Sequence, residues 1–118
     1  MRKKEITING KNYPVIFTMA TLSNFEEILG GKPFFGQNLN TVKNRVAIIY
    51  AAALAADENT ELTVQELRGK ESFEDYQQIA QAYTVIMQLA ETFFNIPESG
   101  NGKDEDQAAE EGDAKPKN

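Results

Sequence analysis

Three carboxylates fall within the five residues Asp57-Glu58-Asn59-Thr60-Glu61, and the chemistry they suggest is calcium binding. A helix–loop–helix calcium site takes oxygen ligands at alternating loop positions, a glycine at the sixth and a bidentate glutamate at the twelfth. Counted from Asp57, those two places hold Leu62 and Arg68, so the stretch reads as an acidic connector between helices. The pairs Glu26-Glu27 and Glu74-Asp75 are the next candidates. Neighbouring residues on a helix point in different directions, so neither pair alone makes an acid–base or metal site. Glu74 and Asp75 also fall where a helix would begin, and negative charge there complements the helix dipole. Gly30-Gly31-Lys32 and Gly100-Asn101-Gly102-Lys103 set glycine beside lysine without the spacing of a phosphate-binding loop.

Composition narrows the chemistry further. The chain contains no His and no Cys, which removes the commonest general base, the thiol nucleophile and the usual zinc ligands. Carboxylates, Lys, Tyr or Ser remain, without a recognisable catalytic arrangement among them. The expectation is a protein without catalytic residues, cofactor or metal; an enzyme built on a carboxylate site is the remote alternative. Nucleic acid is not an expected partner, because Arg2-Lys3-Lys4 is the only basic run in a chain of net charge −6. Nor is a membrane: Val46 to Ala56, the longest nearly uncharged stretch, falls short of the ~20 residues that cross a bilayer. Glu5 to Asn9 stands where a secretory signal would carry its apolar core. With no disulfide possible, the expected location is the cytoplasm.

The elements that would position any interacting surface follow from local signals. Glu5-Ile6-Thr7-Ile8 alternates polar and apolar residues, Asn9-Gly10 supplies the pair a tight hairpin turn favours, and Tyr13-Pro14-Val15-Ile16-Phe17 resumes an extended pattern. This predicts a hairpin over residues 4–17, with Ile6 and Ile8 on one face of the first strand and Tyr13, Val15 and Phe17 on one face of the second. A lone hairpin is barely stable in water, so it must pack on helices or on another copy. Thr18 is placed to cap a helix from Met19 to Leu29, stopped by Gly30-Gly31. After a turn carrying Phe34 and Phe35, Asn40 or Thr41 opens a second helix to about Ala56, with Val42, Val46, Ile49, Tyr50, Ala53 and Leu54 along one face. Thr63 and Glu66 have the spacing of a capping box, which starts a short helix ending at Gly69.

Ser72 then caps a long final helix that runs to Pro97. Phe73, Tyr76, Ala80, Tyr83, Met87, Ala90 and Phe94 recur at three- and four-residue spacing, widened by Ile79, Ile86 and Phe93. A helix apolar on more than one side packs at the centre of a core or against a second molecule. The fold class predicted is α+β: an N-terminal β-hairpin, three to four helices, and a domain spanning residues 1–96. Beyond it, residues 97–118 carry 3 basic and 7 acidic side chains and no aromatic or β-branched residue. Such a segment cannot bury enough apolar surface to offset its ordering entropy, and a disordered acidic tail is expected.

The run from Glu5 through the Asn9-Gly10 turn, Tyr13-Pro14-Val15-Ile16-Phe17 and Thr18 to Glu27 resembles the opening of tail assembly chaperones of long-tailed bacteriophages and prophages. Arg45 to Asn59 and Leu62 to Leu67 are similar in manner to the same family, so the likeness spans roughly residues 5–96 in pattern and order. The resemblance implies a non-catalytic protein of the bacterial cytoplasm that holds the extended tape-measure protein until tail-tube subunits polymerise around it. It also implies self-association, absence from the finished virion, and a short form alongside a frameshifted longer one, this chain corresponding to the short form. A static tail or neck component is the alternative. For a tape-measure helix, the expected docking groove lies between the second and last helices, with Tyr50, Tyr76, Tyr83, Met87 and Phe94 as partner-binding candidates.

Overall fold

The turn Asn9-Gly10 sets the first element pair, because both residues adopt positive φ, 53° and 81°. That backbone matches the twist of the strands it joins. The computed structural model describes residues 3–69 and 72–95. β1 (Lys4–Ile8) pairs antiparallel with β2 (Lys11–Val15), with Ile6 opposite Tyr13 and Lys4 opposite Val15. Ile6, Ile8, Tyr13 and Val15 are buried, while Glu5, Thr7, Lys11 and Asn12 face outward. The ladder stops two residues before the predicted limit at residue 17. Ile16 donates its N–H to the carbonyl of Ala52 at 3.3 Å, so the chain exchanges its strand partner for a helix, and Ile16 and Phe17 are both buried.

Thr18 caps α1 (Met19–Ile28) as its side chain predicts, accepting from the Ala20 N–H. Thr21 completes this corner. Its hydroxyl accepts from the Thr18 N–H at 3.0 Å and donates to the Ile16 carbonyl at 2.9 Å, and it is the one buried polar side chain among the described residues. A buried hydroxyl is tolerated only when its hydrogen bonds are made within the protein, and here both are. Gly30 and Gly31 end the helix with N–H groups turned back to the carbonyls of Glu27 and Glu26, satisfying last-turn acceptors in the left-handed conformation that glycine favours.

α2 (Val42–Ala56), capped by Thr41, departs from the single-face expectation. Val46, Ala47, Ile48, Ile49, Ala51, Ala52 and Ala53 are all buried, which covers every direction around the helix. Of the face predicted for it, Val42 is 49% exposed and Tyr50 and Leu54 are only half-buried. The cause is position: α2 is the central element, packed against α1, β2, the short α3 (Val64–Arg68) and the long α4 (Phe73–Phe94). Its alanines let those neighbours approach closely. α3 is capped by Thr63, which accepts from the Glu66 N–H, while the Glu66 carboxylate lies 3.5 Å from the Tyr13 hydroxyl, across to the hairpin.

Ser72 and Asp75 form a reciprocal capping box that opens α4. This helix is 22 residues long, close to the expected length, and buries Ile79, Ala82, Ile86, Leu89 and Ala90 along one face. β1 lies against it, tied by Lys4 Nζ donating to Gln88 and the Asn9 N–H donating to Gln78. The fold is therefore α+β, a two-stranded hairpin followed by four helices among the described residues. No helix is long and apolar enough to cross a membrane among the residues described. Pro97 and the segment 97–118, expected to stop α4 and to form an acidic tail, lie outside the described residues.

The Tyr13 phenol gives a pH prediction. Burial raises its pKa above the ordinary 10.0, and the nearby Glu66 carboxylate raises it further. The folded state then holds this proton more tightly than the unfolded state, so its stabilising contribution is complete below the ordinary pKa and is lost as pH rises through the folded one. Lys11, raised by its hydrogen bond to Glu61, has the same sign. Urea midpoints should therefore fall above about pH 10. Tyr13→Phe should remove part of that fall; an unchanged alkaline slope in the variant would show that Tyr13 is not its source.

Candidate functional site

Asp57, Glu61, Glu26 and Asp75 are engaged in turns, an ion pair and a helix cap. Asp57 accepts from the Asn59 N–H at 2.9 Å, which closes the turn after α2. Glu61 pairs with Lys11 at 2.9 Å, a bond that lowers the pKa of the glutamate and raises that of the lysine. Both groups are solvated, so the pair adds little to stability. Glu26 accepts from the Phe34 N–H at 2.9 Å, and Asp75 belongs to the α4 capping box. Among the described residues, no three acidic, His or Cys side chains come together as a metal site would require. A half-open cleft is lined by Asn9, Gln65, Glu66, Gly69, Ser72 and Asp75.

The expected partner-binding residues are arranged unevenly. Tyr76, Tyr83, Met87 and Phe94 are separated by seven, four and seven residues, which at about 3.6 residues per turn returns to one flank of α4. This flank lies beside the buried face. Tyr83 and Met87, in its middle, are half-buried against the core, as is Tyr50 on α2. The Arg45 guanidinium of α2 sits 4.5 Å from the Tyr83 ring centre. Its Nε also donates to the Leu39 carbonyl at 3.0 Å, so one cation joins the α1–α2 connector, α2 and α4. The predicted groove between α2 and α4 is in part filled by the packing of these two helices. The ends of the flank remain open: Tyr76 is 49% exposed and stacks on Phe73, and Phe94 is 45% exposed.

The sequence did not single out what surrounds Phe94. Phe17, Phe25, Phe34, Phe35, Phe93 and Phe94 form one connected network of rings, six of the chain's seven phenylalanines. Centroid separations run from 5.0 to 6.3 Å, the range in which edge-to-face and offset pairs are favourable. The network starts at the fully buried Phe25 and ends at Phe35, which is 69% exposed on the turn after α1. Phe35 and Phe94 contact each other at 5.8 Å, and both pack on Phe34. Two adjacent phenylalanines in one turn were the available signal: Phe34 fills the core and Phe35 is left outside it.

No family model, curated protein or solved structure matches this chain.

Proposed function

We propose that this protein is a non-catalytic tail assembly chaperone that binds the tape-measure protein of a bacteriophage or prophage in the bacterial cytoplasm and keeps it soluble before the tail tube encloses it. The observation that carries the reading is the aromatic flank of α4, buried enough in its middle to be rigid and open at both ends. A tape-measure helix presents long apolar stripes, and helix-on-helix docking uses anchors at the four- and seven-residue spacing this flank has. Tyrosine suits such a surface, with an apolar ring and a tip that tolerates water. Contacts confined to the open ends would be weak singly, which a carrier that must later be displaced requires. Self-association would then multiply them into useful avidity.

Co-expression with the tape-measure protein encoded beside it tests this. The tape-measure protein alone is expected to be insoluble, and the wild-type chain should bring it into a soluble complex. Tyr76→Asp should weaken that rescue, since the side chain is half exposed and its loss leaves the core intact. Tyr83 and Met87 are poorer probes, because a charge placed against the core would unfold the variant. A tape-measure protein that stays insoluble with the wild-type chain in excess would refute the proposal and favour a static tail or neck component.

A further inference from the structure

We propose that Asn9, at the tip of the hairpin, is a site of spontaneous covalent modification: deamidation through a cyclic imide to aspartate and isoaspartate, which loosens the hairpin from α4. This chemistry is independent of the proposed function. Asn9 is the only asparagine among the described residues that is followed by glycine. Ring closure requires the Gly10 main-chain nitrogen to reach the Asn9 Cγ, and glycine puts no Cβ in its path. Both residues are exposed, and a Cβ built on Gly10 would meet nothing within 4 Å, so water and base have open access. The Gly10 N–H has no hydrogen-bond partner among the described residues, nor has the Asn9 Nδ2 that must leave. Asn9 is held by its other atoms: its N–H donates to Gln78 Oε1 at 2.7 Å, and its Oδ1 accepts from Gln78 Nε2 at 3.5 Å. In the reaction, base takes the Gly10 amide proton and the nitrogen attacks Asn9 Cγ. The new C–N bond forms, the Cγ–Nδ2 bond breaks, and ammonia leaves with a proton from water. A second water then opens the imide. Cleavage at Cγ leaves aspartate; cleavage at the main-chain carbonyl leaves isoaspartate, whose chain runs through Cβ and Cγ. Isoaspartate thus adds a methylene to the main chain of a two-residue turn. The positive φ values of Asn9 and Gly10 match the strand twist, and Ile8 stands opposite Lys11 only while that geometry lasts. The Asn9 N–H bond to Gln78, which ties this end of the hairpin to α4, moves with the same backbone.

Peptide mapping of the full-length protein tests this. Trypsin releases residues 5–11 as one peptide, because Lys4 and Lys11 bound it, and so reads Asn9 apart from Asn101-Gly102. After incubation of the folded protein, this peptide should gain a form about 1 Da heavier, part of it a substrate for an isoaspartyl methyltransferase. It should appear at least about threefold faster at about pH 9 than at about pH 7, because the Gly10 nitrogen attacks after losing its proton. The peptides carrying Asn12, Asn24 and Asn59 should stay unchanged, and Asn9→Gln should abolish the heavier form. The isoaspartate species, separated by chromatography, should melt below the unmodified protein. Asn9→Asp should melt close to it, because Asp-Gly suits the same turn. A 5–11 peptide that stays unmodified in the folded protein while it converts in urea overturns the proposal, since the hairpin then protects Asn9. An isoaspartate species that melts like the unmodified protein overturns the loosening of the hairpin.

Discussion

Phe25→Ala is expected to cost about 3–5 kcal/mol, a large share of the stability of a domain this size. Phe25 is fully buried on α1 and meets the Phe34 ring edge-on at 5.4 Å. Removing it forfeits the transfer energy of a phenyl group and leaves a cavity that the neighbours fill only in part. They are held by their own constraints: α1 by the Thr18 cap and the Thr21 bonds, and the turn carrying Phe34 by the Glu26 carboxylate. Phe25→Leu, which keeps more of the volume, should cost clearly less, about 1–2 kcal/mol. Met19→Ala on the same helix removes a side chain 70% exposed and should stay within about 0.5 kcal/mol of wild type. Urea denaturation monitored by circular dichroism gives all three values on one scale. A Phe25→Ala midpoint no lower than that of Met19→Ala would mean that the ring is not packed as described. The same variant bears on function, because Phe34 lies between Phe25 and the exposed Phe35 and Phe94.

The parts of this molecule that local chemistry decides are legible in its sequence. Asn9-Gly10 makes the hairpin turn, and Thr18, Thr41, Thr63 and Ser72 each cap the helix their position implies. In each case the decisive partner lies within about four residues, where sequence order and spatial order coincide. α2 shows the limit. Its predicted face came from hydrophobic periodicity, but a helix buried on all sides has no polar side to set the phase, and only its neighbours determine which residues are covered. Ile16 shows it in another way, since a strand pattern cannot reveal that the next hydrogen bond goes to Ala52.

The interaction surface follows the same division. The stripe of Tyr76, Tyr83, Met87 and Phe94 is visible because one helix carries it. Which of its members remain open depends on Arg45 and on the packing of α2, and these are tertiary facts. The phenylalanine network draws on the exit of β2, α1, the turn after it and the end of α4. No spacing rule joins those positions, and the pairs Phe34-Phe35 and Phe93-Phe94 are its local traces.

Gly69→Ala should be the most damaging small substitution outside the core. Gly69 has φ 65° and ψ −153°, a region that side chains with a Cβ essentially avoid. A Cβ built there would lie 2.5 Å from Asp75 Cγ and 2.8 Å from Asp75 Cβ. Asp75 cannot simply move away, because its carboxylate accepts from the Ser72 N–H and hydroxyl in the box that starts α4. Strain of about 1–3 kcal/mol at Gly69 is therefore joined by damage to a cap worth about 1 kcal/mol, for a total near 2–4 kcal/mol. Gly36→Ala isolates the first contribution: Gly36 also has positive φ, 99°, yet an added Cβ meets nothing within 4 Å. Its cost should be the smaller of the two. Asp75→Ala isolates the cap. The double variant Gly69→Ala/Asp75→Ala should lose less than the two single losses combined, because removing the carboxylate also removes the nearest clash; the remaining Cβ contact keeps the relief partial. Denaturant midpoints for the four variants decide the matter. If Gly69→Ala and Asp75→Ala add independently, or if Gly36→Ala costs as much as Gly69→Ala, then the approach of the α3 exit to the α4 cap does not limit this position, and backbone conformation alone accounts for the glycine.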